Sequence, residues 1–144
     1  MSGSRPLRVR DVMSQPVRTV GRNDKLSLAD SLMAGGRIRH LPVLDEEGNL
    51  AGIVSRSDLF RGSLVKALGY GSVAQERVLE SLLAKEVMTT EVFTTTPDAA
   101  LADAARIMIE KKIGCLPVLE EGRLVGILTE GDFVALAARP GSAE

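Results

Sequence analysis

Two short stretches of this chain place a hydroxyl and a carboxylate three residues apart, behind a glycine and two apolar residues. They are Gly52-Ile53-Val54-Ser55-Arg56-Ser57-Asp58 and Gly126-Ile127-Leu128-Thr129-Glu130-Gly131-Asp132. An apolar run ending in Ser or Thr, with an acid three residues on, is the sequence form of a helix capping box. The same spacing has a second use. A strand that hands over to a capped helix start offers N–H groups and the positive end of the helix dipole, which favour a phosphate or another anion. An acid on that first turn can accept both hydroxyls of a ribose, as acids do in other nucleotide folds. Seen once, such a stretch reads as a capping box before anything else.

It is seen twice because the chain repeats itself. Asp11-Val12-Met13-Ser14 is echoed by Glu86-Val87-Met88-Thr89, and Leu41-Pro42-Val43-Leu44 by Leu116-Pro117-Val118-Leu119. The register slips by one residue where Asp45-Glu46-Glu47-Gly48 faces Glu120-Glu121-Gly122, at a tight turn that tolerates a deletion. A repeat this long is a supersecondary unit and sets the architecture.

The elements that must position these residues follow from local pattern. Each repeat reads as short helix, strand, helix, strand, strand, helix. The first strand is expected around 16–20 and its copy around 91–95. In the second copy Thr96-Pro97-Asp98 supplies an N-cap, a first-turn proline and an acid, and Leu101, Ala104, Ala105, Met108 and Ile109 share one helical face. In the first copy Asn23 or Asp24 caps, Leu26, Ala29, Leu32 and Met33 bury, and Gly35-Gly36 ends the helix. Two hairpins follow, 41–44 with 50–55 and 116–119 with 124–128, each through an acidic Gly-containing turn. Helices then start near Ser55 and near Thr129. Gly69-Tyr70-Gly71 marks a flexible break, and Val78, Leu79, Leu82 and Leu83 form an apolar stripe on a linking helix. The expected organisation is repeat one over 8–66, a linker with a helix over 67–84, and repeat two over 85–138. One repeat leaves a sheet face bare, so the expected fold is α+β, with two pseudo-two-fold-related repeats packed sheet to sheet.

Composition narrows the field. The chain has 144 residues, 44% hydrophobic and 26% charged, which fits one compact domain or two halves sharing a core. A net charge of −1 provides no basic field for nucleic acid, and 3% aromatics without Trp provide no stacking platform for single strands. No apolar run reaches membrane-spanning length, and residues 1–10 lack the hydrophobic core of a secretory signal. One cysteine, Cys115, forms no internal disulfide. The expected setting is cytoplasmic.

The three repeated motifs in order (Val-Met-Ser/Thr, Leu-Pro-Val-Leu, Gly-x-x-Ser/Thr-x-x-Asp) resemble a tandem pair of cystathionine-β-synthase (CBS) domains, over about residues 9–138. The resemblance implies a stand-alone Bateman module that binds an adenosyl ligand (AMP, ADP, ATP or S-adenosylmethionine) in two clefts between the repeats, with no cofactor required. It places ribose on Asp58 and on Asp132, with Ser55, Ser57, Thr129 and Gly131 beside ribose or phosphate. Around the base it places Thr96, Leu101, Ile113 and Gly114 for the Asp58 cleft. For the Asp132 cleft it places Gly21, Leu26, Ile38 and Arg39. It also implies a homodimer with the helices after Ser55 and Thr129 at its interfaces, where Leu59, Phe60, Leu64, Phe133, Val134 and Leu136 are apolar.

The copies differ in charge. Repeat one has Arg37, Arg39 and His40 before its Leu-Pro-Val strand and Arg56 inside the motif, where repeat two has Gly114, Cys115 and Glu130. The Asp58 cleft is therefore expected to prefer a phosphorylated ligand, and the Asp132 cleft a less anionic one. Lys111 and Lys112 would soften the contrast, and solvated surface is an equal reading of the arginines. His40 and Cys115 occupy equivalent positions, but no third orienting group accompanies them, and a lone Cys more often packs as a small hydrophobe. Met13, Met88, Met33 and Met108 are repeat-matched and read as core. The leading function is a non-catalytic regulatory module acting on an unidentified protein through conformational or oligomeric change. The alternative is a ligand-free dimerisation or protein-interaction scaffold, and an enzyme is disfavoured for want of a nucleophile, metal set or P-loop lysine.

Overall fold

The computed structural model describes residues 5–36, 38–59 and 72–140. Arg37, Phe60, Leu64 and Gly69-Tyr70-Gly71 lie outside the described residues. The chain is mixed α and β and divides into two compact units, which do not follow the repeat limits. One unit runs from Arg18 to Val92; the other combines Met1–Val17 with Phe93–Glu144.

In the first unit a short strand β1 (Val20–Gly21) leads to helix α1 (Leu26–Gly36), then β2 (His40–Leu44) and β3 (Leu50–Ser55). β2 pairs antiparallel with β3, and β1 runs parallel to β2, giving the order β1-β2-β3. The backbone turns helical at 56–59 directly after β3. Helices α2 (Ser72–Ser81) and α3 (Ala84–Val87) complete the unit. Its core is Val20, Leu26, Ala29, Met33, Leu41, Val43, Val54, Leu59, Leu82 and Ala84, with Val78, Leu79, Val87 and Met88 packed against it.

In the second unit a 3-10 turn (Val9–Asp11) precedes helix α4 (Leu101–Lys111), the hairpin β4 (Cys115–Glu120) and β5 (Arg123–Thr129), and helix α5 (Glu130–Ala137). Its core is Val9, Val12, Leu101, Ala104, Met108, Leu116, Val118 and Leu128. Each repeat's opening motif has thus gone to the other repeat's sheet, and the pairing is matched. Leu26 N–H donates to Leu82 O as Leu101 N–H donates to Leu7 O, both at 2.9 Å. Ala84 N–H reaches Asp24 O as Val9 N–H reaches Ala99 O, at 2.8 and 2.9 Å.

Each letter of the opening motif then has a task. Asp11 and Glu86 accept the N–H of Arg8 and Leu83, three residues back, at 2.8 and 2.7 Å. Val12 is buried and Val87 packs on its unit's core. Met13 and Met88 lie over Gly126 and Gly52, where a Cβ would come within 2.7 and 2.8 Å of the sulfur. Ser14 and Thr89 exchange backbone hydrogen bonds with Ile127 and Ile53.

The hairpin turns explain the register slip. Glu121 and Gly122 have φ of 52° and 79°, the backbone of a two-residue type I′ turn. The longer first turn is held by the Asp45 carboxylate, which accepts Glu47 and Asn49 N–H at 3.0 and 2.9 Å, with Gly48 at φ 86°. Elsewhere the early strands are shorter than the ranges 16–20 and 91–95 expected from the sequence: β1 is two residues, and its copy reduces to a bridge between Thr95 and Val118. Helix α4 starts at Leu101 rather than Pro97. The carbonyls of Pro97 and Ala99 are taken by Arg10 and Val9, which hold 97–99 in a turn.

Candidate functional site

The two Ser/Thr-x-x-Asp stretches sit where the last hairpin strand of each unit turns into a helix. In the first unit Ser55 N–H donates to Asp58 Oδ2 at 2.9 Å, and Asp58 N–H donates to Ser55 Oγ at 3.1 Å. The capping box is complete, and Asp58 is 7% exposed. Ser57 is exposed, its Oγ 3.5 Å from that of Ser55. In the second unit Thr129 N–H donates to Asp132 Oδ2 at 2.8 Å and the Thr129 hydroxyl reaches the same oxygen at 3.3 Å. Asp132 Oδ1 accepts the Ser14 hydroxyl at 2.6 Å. Ser14 is the site residue that the motif spacing missed. Its one sequence signal was that the opening motif ends in a hydroxyl in both copies.

The charged flank is built by strand register. His40 lies opposite Ser55 on β2 and β3, and Arg56 N–H donates to Arg39 O at 2.8 Å, so Arg39 and Arg56 are hydrogen-bonded neighbours with exposed side chains. In the second unit Cys115 lies opposite Thr129, and Glu130 N–H donates to Gly114 O at 3.2 Å. One frame therefore carries two guanidinium groups in one copy, and no side chain and a carboxylate in the other. Lys111 stands 5.1 Å from the Phe93 ring centroid, a cation–π contact, and Lys112 caps α4 with φ 55°.

The remaining sequence candidates lie in the unit of the other acid from the one the resemblance gave them, Gly21, Leu26, Ile38 and Arg39 with Asp58, and Thr96, Leu101, Ile113 and Gly114 with Asp132. In the first unit Leu26 is fully buried and Ile38 half-buried, its N–H on Met33 O; Gly21 N–H donates to Asp24 Oδ2 at 2.7 Å. In the second unit Leu101 is buried, Thr96 exposed and Ile113 half-buried with its N–H on Met108 O. Leu26 and Leu101 fill the cores of their units, and both N–H groups are already engaged. Gly131 is exposed, and a Cβ there would lie 3.6 Å from Thr129 Oγ1, an ordinary contact, so packing does not require the glycine.

Burial pushes the Cys115 thiol up to about 12, which keeps it protonated and poorly nucleophilic. Among the described residues no group of three or more His, Cys, Asp or Glu is placed to hold a metal, and no helix is long and apolar enough to cross a membrane.

The CBS domain model matches this chain twice, over residues 9–64 and 84–139. The chain belongs to the CBS domain family. Among its relatives is the CBS domain-containing protein YhcV of Bacillus subtilis, 32% identical over 87% of this chain and 81% of YhcV. Two solved CBS structures resemble it closely. The CBS pair of MJ0100, in complex with 5′-methylthioadenosine and S-adenosylmethionine, is 29% identical with a TM-score of 0.74 over 92% of this chain and 96% of that one. CBSX2 in complex with AMP is 30% identical with a TM-score of 0.72 over 90% and 95%. Other relatives are much longer: this CBS chain spans only 22% of a homoserine O-acetyltransferase from Methanococcus vannielii, at 31% identity.

Proposed function

We propose that this CBS pair is a non-catalytic regulatory module that binds an adenosyl ligand, with ribose held by Asp58 in one unit and Asp132 in the other. The observation that carries the reading is the pair of matched corners, each setting an acid on the first turn of a helix at the end of a sheet strand. The ligands of MJ0100 and CBSX2 share an adenosyl group and differ at its 5′ end, which supports the same class here. The 5′ group is where the corners of this chain diverge. Arg39 and Arg56 favour AMP, ADP or ATP beside Asp58, whereas Gly114 and Glu130 favour an uncharged or cationic 5′ group, as in S-adenosylmethionine, beside Asp132. Binding would act through its differential affinity for two conformations or assemblies, and a cytoplasmic homodimer is the expected form.

The test is mass spectrometry of small molecules released from the native protein, then calorimetry with AMP, ADP, ATP, NADH and S-adenosylmethionine. Release or binding of an adenosyl compound, lost in Asp58→Asn or Asp132→Asn, is the expected result. Absence of both release and binding overturns it. A second reading, a ligand-free interaction scaffold, is favoured by one observation: Val134 on α5 is 70% exposed and Ile109 on α4 is 75% exposed. Stable self-association without any ligand would support that reading.

A further inference from the structure

We infer that Ser14 is a specificity-determining residue of the Asp132 site, selecting ligands whose ribose carries both free hydroxyls. The inference rests on the adenosyl reading above. Asp132 already spends part of its acceptor capacity inside its own unit, Oδ2 on Thr129 and Oδ1 on Ser14. At 2.6 Å the Ser14 hydroxyl commits its proton to the carboxylate, in a short charge-assisted hydrogen bond. Its oxygen keeps lone pairs that can only accept. Ser14 Oγ and Asp132 Oδ1 thus form two adjacent acceptors, carried by an exposed and a half-buried residue. A vicinal diol presents two adjacent donors, and the pair matches it. A ligand lacking one hydroxyl leaves an acceptor unpartnered, and a 2′-phosphate meets a carboxylate.

The hydroxyl is held in place by structure that does not depend on ligand. Ser14 N–H donates to Ile127 O at 2.8 Å and Ile127 N–H donates to Ser14 O at 3.1 Å. Val12, two residues earlier, is buried in the same unit. A ligand therefore meets a preset acceptor and does not have to order it.

Adenosine, 2′-deoxyadenosine and 3′-deoxyadenosine are titrated into the full chain by calorimetry, and the Thr129 amide resonance reports this site. Ser14→Ala keeps both main-chain bonds to Ile127. It is expected to weaken adenosine about tenfold, with at least one deoxynucleoside changed by less than about twofold, and Ser14→Thr is expected to restore adenosine. Equal weakening of all three nucleosides in Ser14→Ala, or of none, overturns the role of Ser14 and leaves the adenosyl reading standing. If the wild-type chain binds neither adenosine nor any adenosyl ligand of the panel above, the adenosyl reading falls and this inference falls with it.

Discussion

The Asp58 and Asp132 corners share a backbone frame and differ in nearly everything around it. The hydrogen bond from Arg56 N–H to Arg39 O has its counterpart from Glu130 N–H to Gly114 O, so the hairpin closes alike whether the flank is two arginines or a glycine and a glutamate. Arg39, Arg56 and Glu130 are exposed, and none belongs to either core. The fold is indifferent to these side chains. The box itself is tied to folding in both units, because it satisfies N–H groups that a helix start leaves open. What the copies share is thus what the chain needs to fold, and where they differ is where the two proposed sites can acquire different preferences.

The exchange of opening segments provides the largest test. Removing residues 1–14 takes Val9 and Val12 out of the unit built on β4 and β5, along with backbone bonds from Val9, Arg10 and Ser14. Each valine contributes about 1.5–3 kcal/mol by burial, so a loss of several kcal/mol is expected, confined to that unit. Hydrogen exchange should speed up at Leu116 and Leu128 and hold at Leu41 and Val54. Loss of protection at Leu41 first would show that the segment supports the first unit instead.

The matched glycines give a finer contrast. A Cβ at Gly52 would stand 2.7 Å from the Thr89 carbonyl oxygen and 2.8 Å from Met88 Sδ. At Gly126 the 2.7 Å contact is to Met13 Sδ, and the nearest backbone oxygen, that of Ser14, is 3.2 Å away. A thioether can swing aside, but a carbonyl locked in a strand bridge cannot. Gly52→Ala should therefore destabilise by about 2–3 kcal/mol and Gly126→Ala by about 1 kcal/mol. Thermal melts read the order, and the reverse order would mean that Met13 is the more rigid of the two.

Charge exchange addresses ligand choice. Arg39→Gln with Arg56→Gln should weaken ATP about tenfold or more with little change for adenosine. Gly114→Arg with Glu130→Arg should strengthen ATP at the other corner. Calorimetry with both ligands reads this, and parallel losses of ATP and adenosine would assign the arginines to packing.

Much of this was legible in the sequence, because a repeat supplies its own control. The hairpins, the boxes and the Leu41/Leu116 cores follow from patterns that local chemistry decides. The exchange of opening segments was not legible, since a periodic apolar pattern says that Val12 buries and not on whose sheet. The start of α4 failed for a related reason: Thr96-Pro97-Asp98 carries good capping chemistry, but the segment 7–10 takes its backbone groups first. Ser14 was missed because its partner lies more than a hundred positions along the chain.

The smallest effect is electrostatic and sits in the same exchanged segment. The Asp11 carboxyl is held below its ordinary value chiefly by the hydrogen bonds from Arg5 and then by the Arg8 N–H. A folded-state value below the unfolded one contributes stability above the unfolded value, and that contribution is lost as pH falls through the folded one. Arg5 is exposed, so added salt should screen much of it. Acid should therefore loosen residues 5–11 at low salt, read as faster exchange of the Val9 and Leu101 amides. Asp11→Asn removes the charge and should flatten that response. If the variant keeps the wild-type pH profile, the segment is held by Val9 and its backbone bonds alone, and Arg5–Asp11 is surface decoration on a clamp made of main chain.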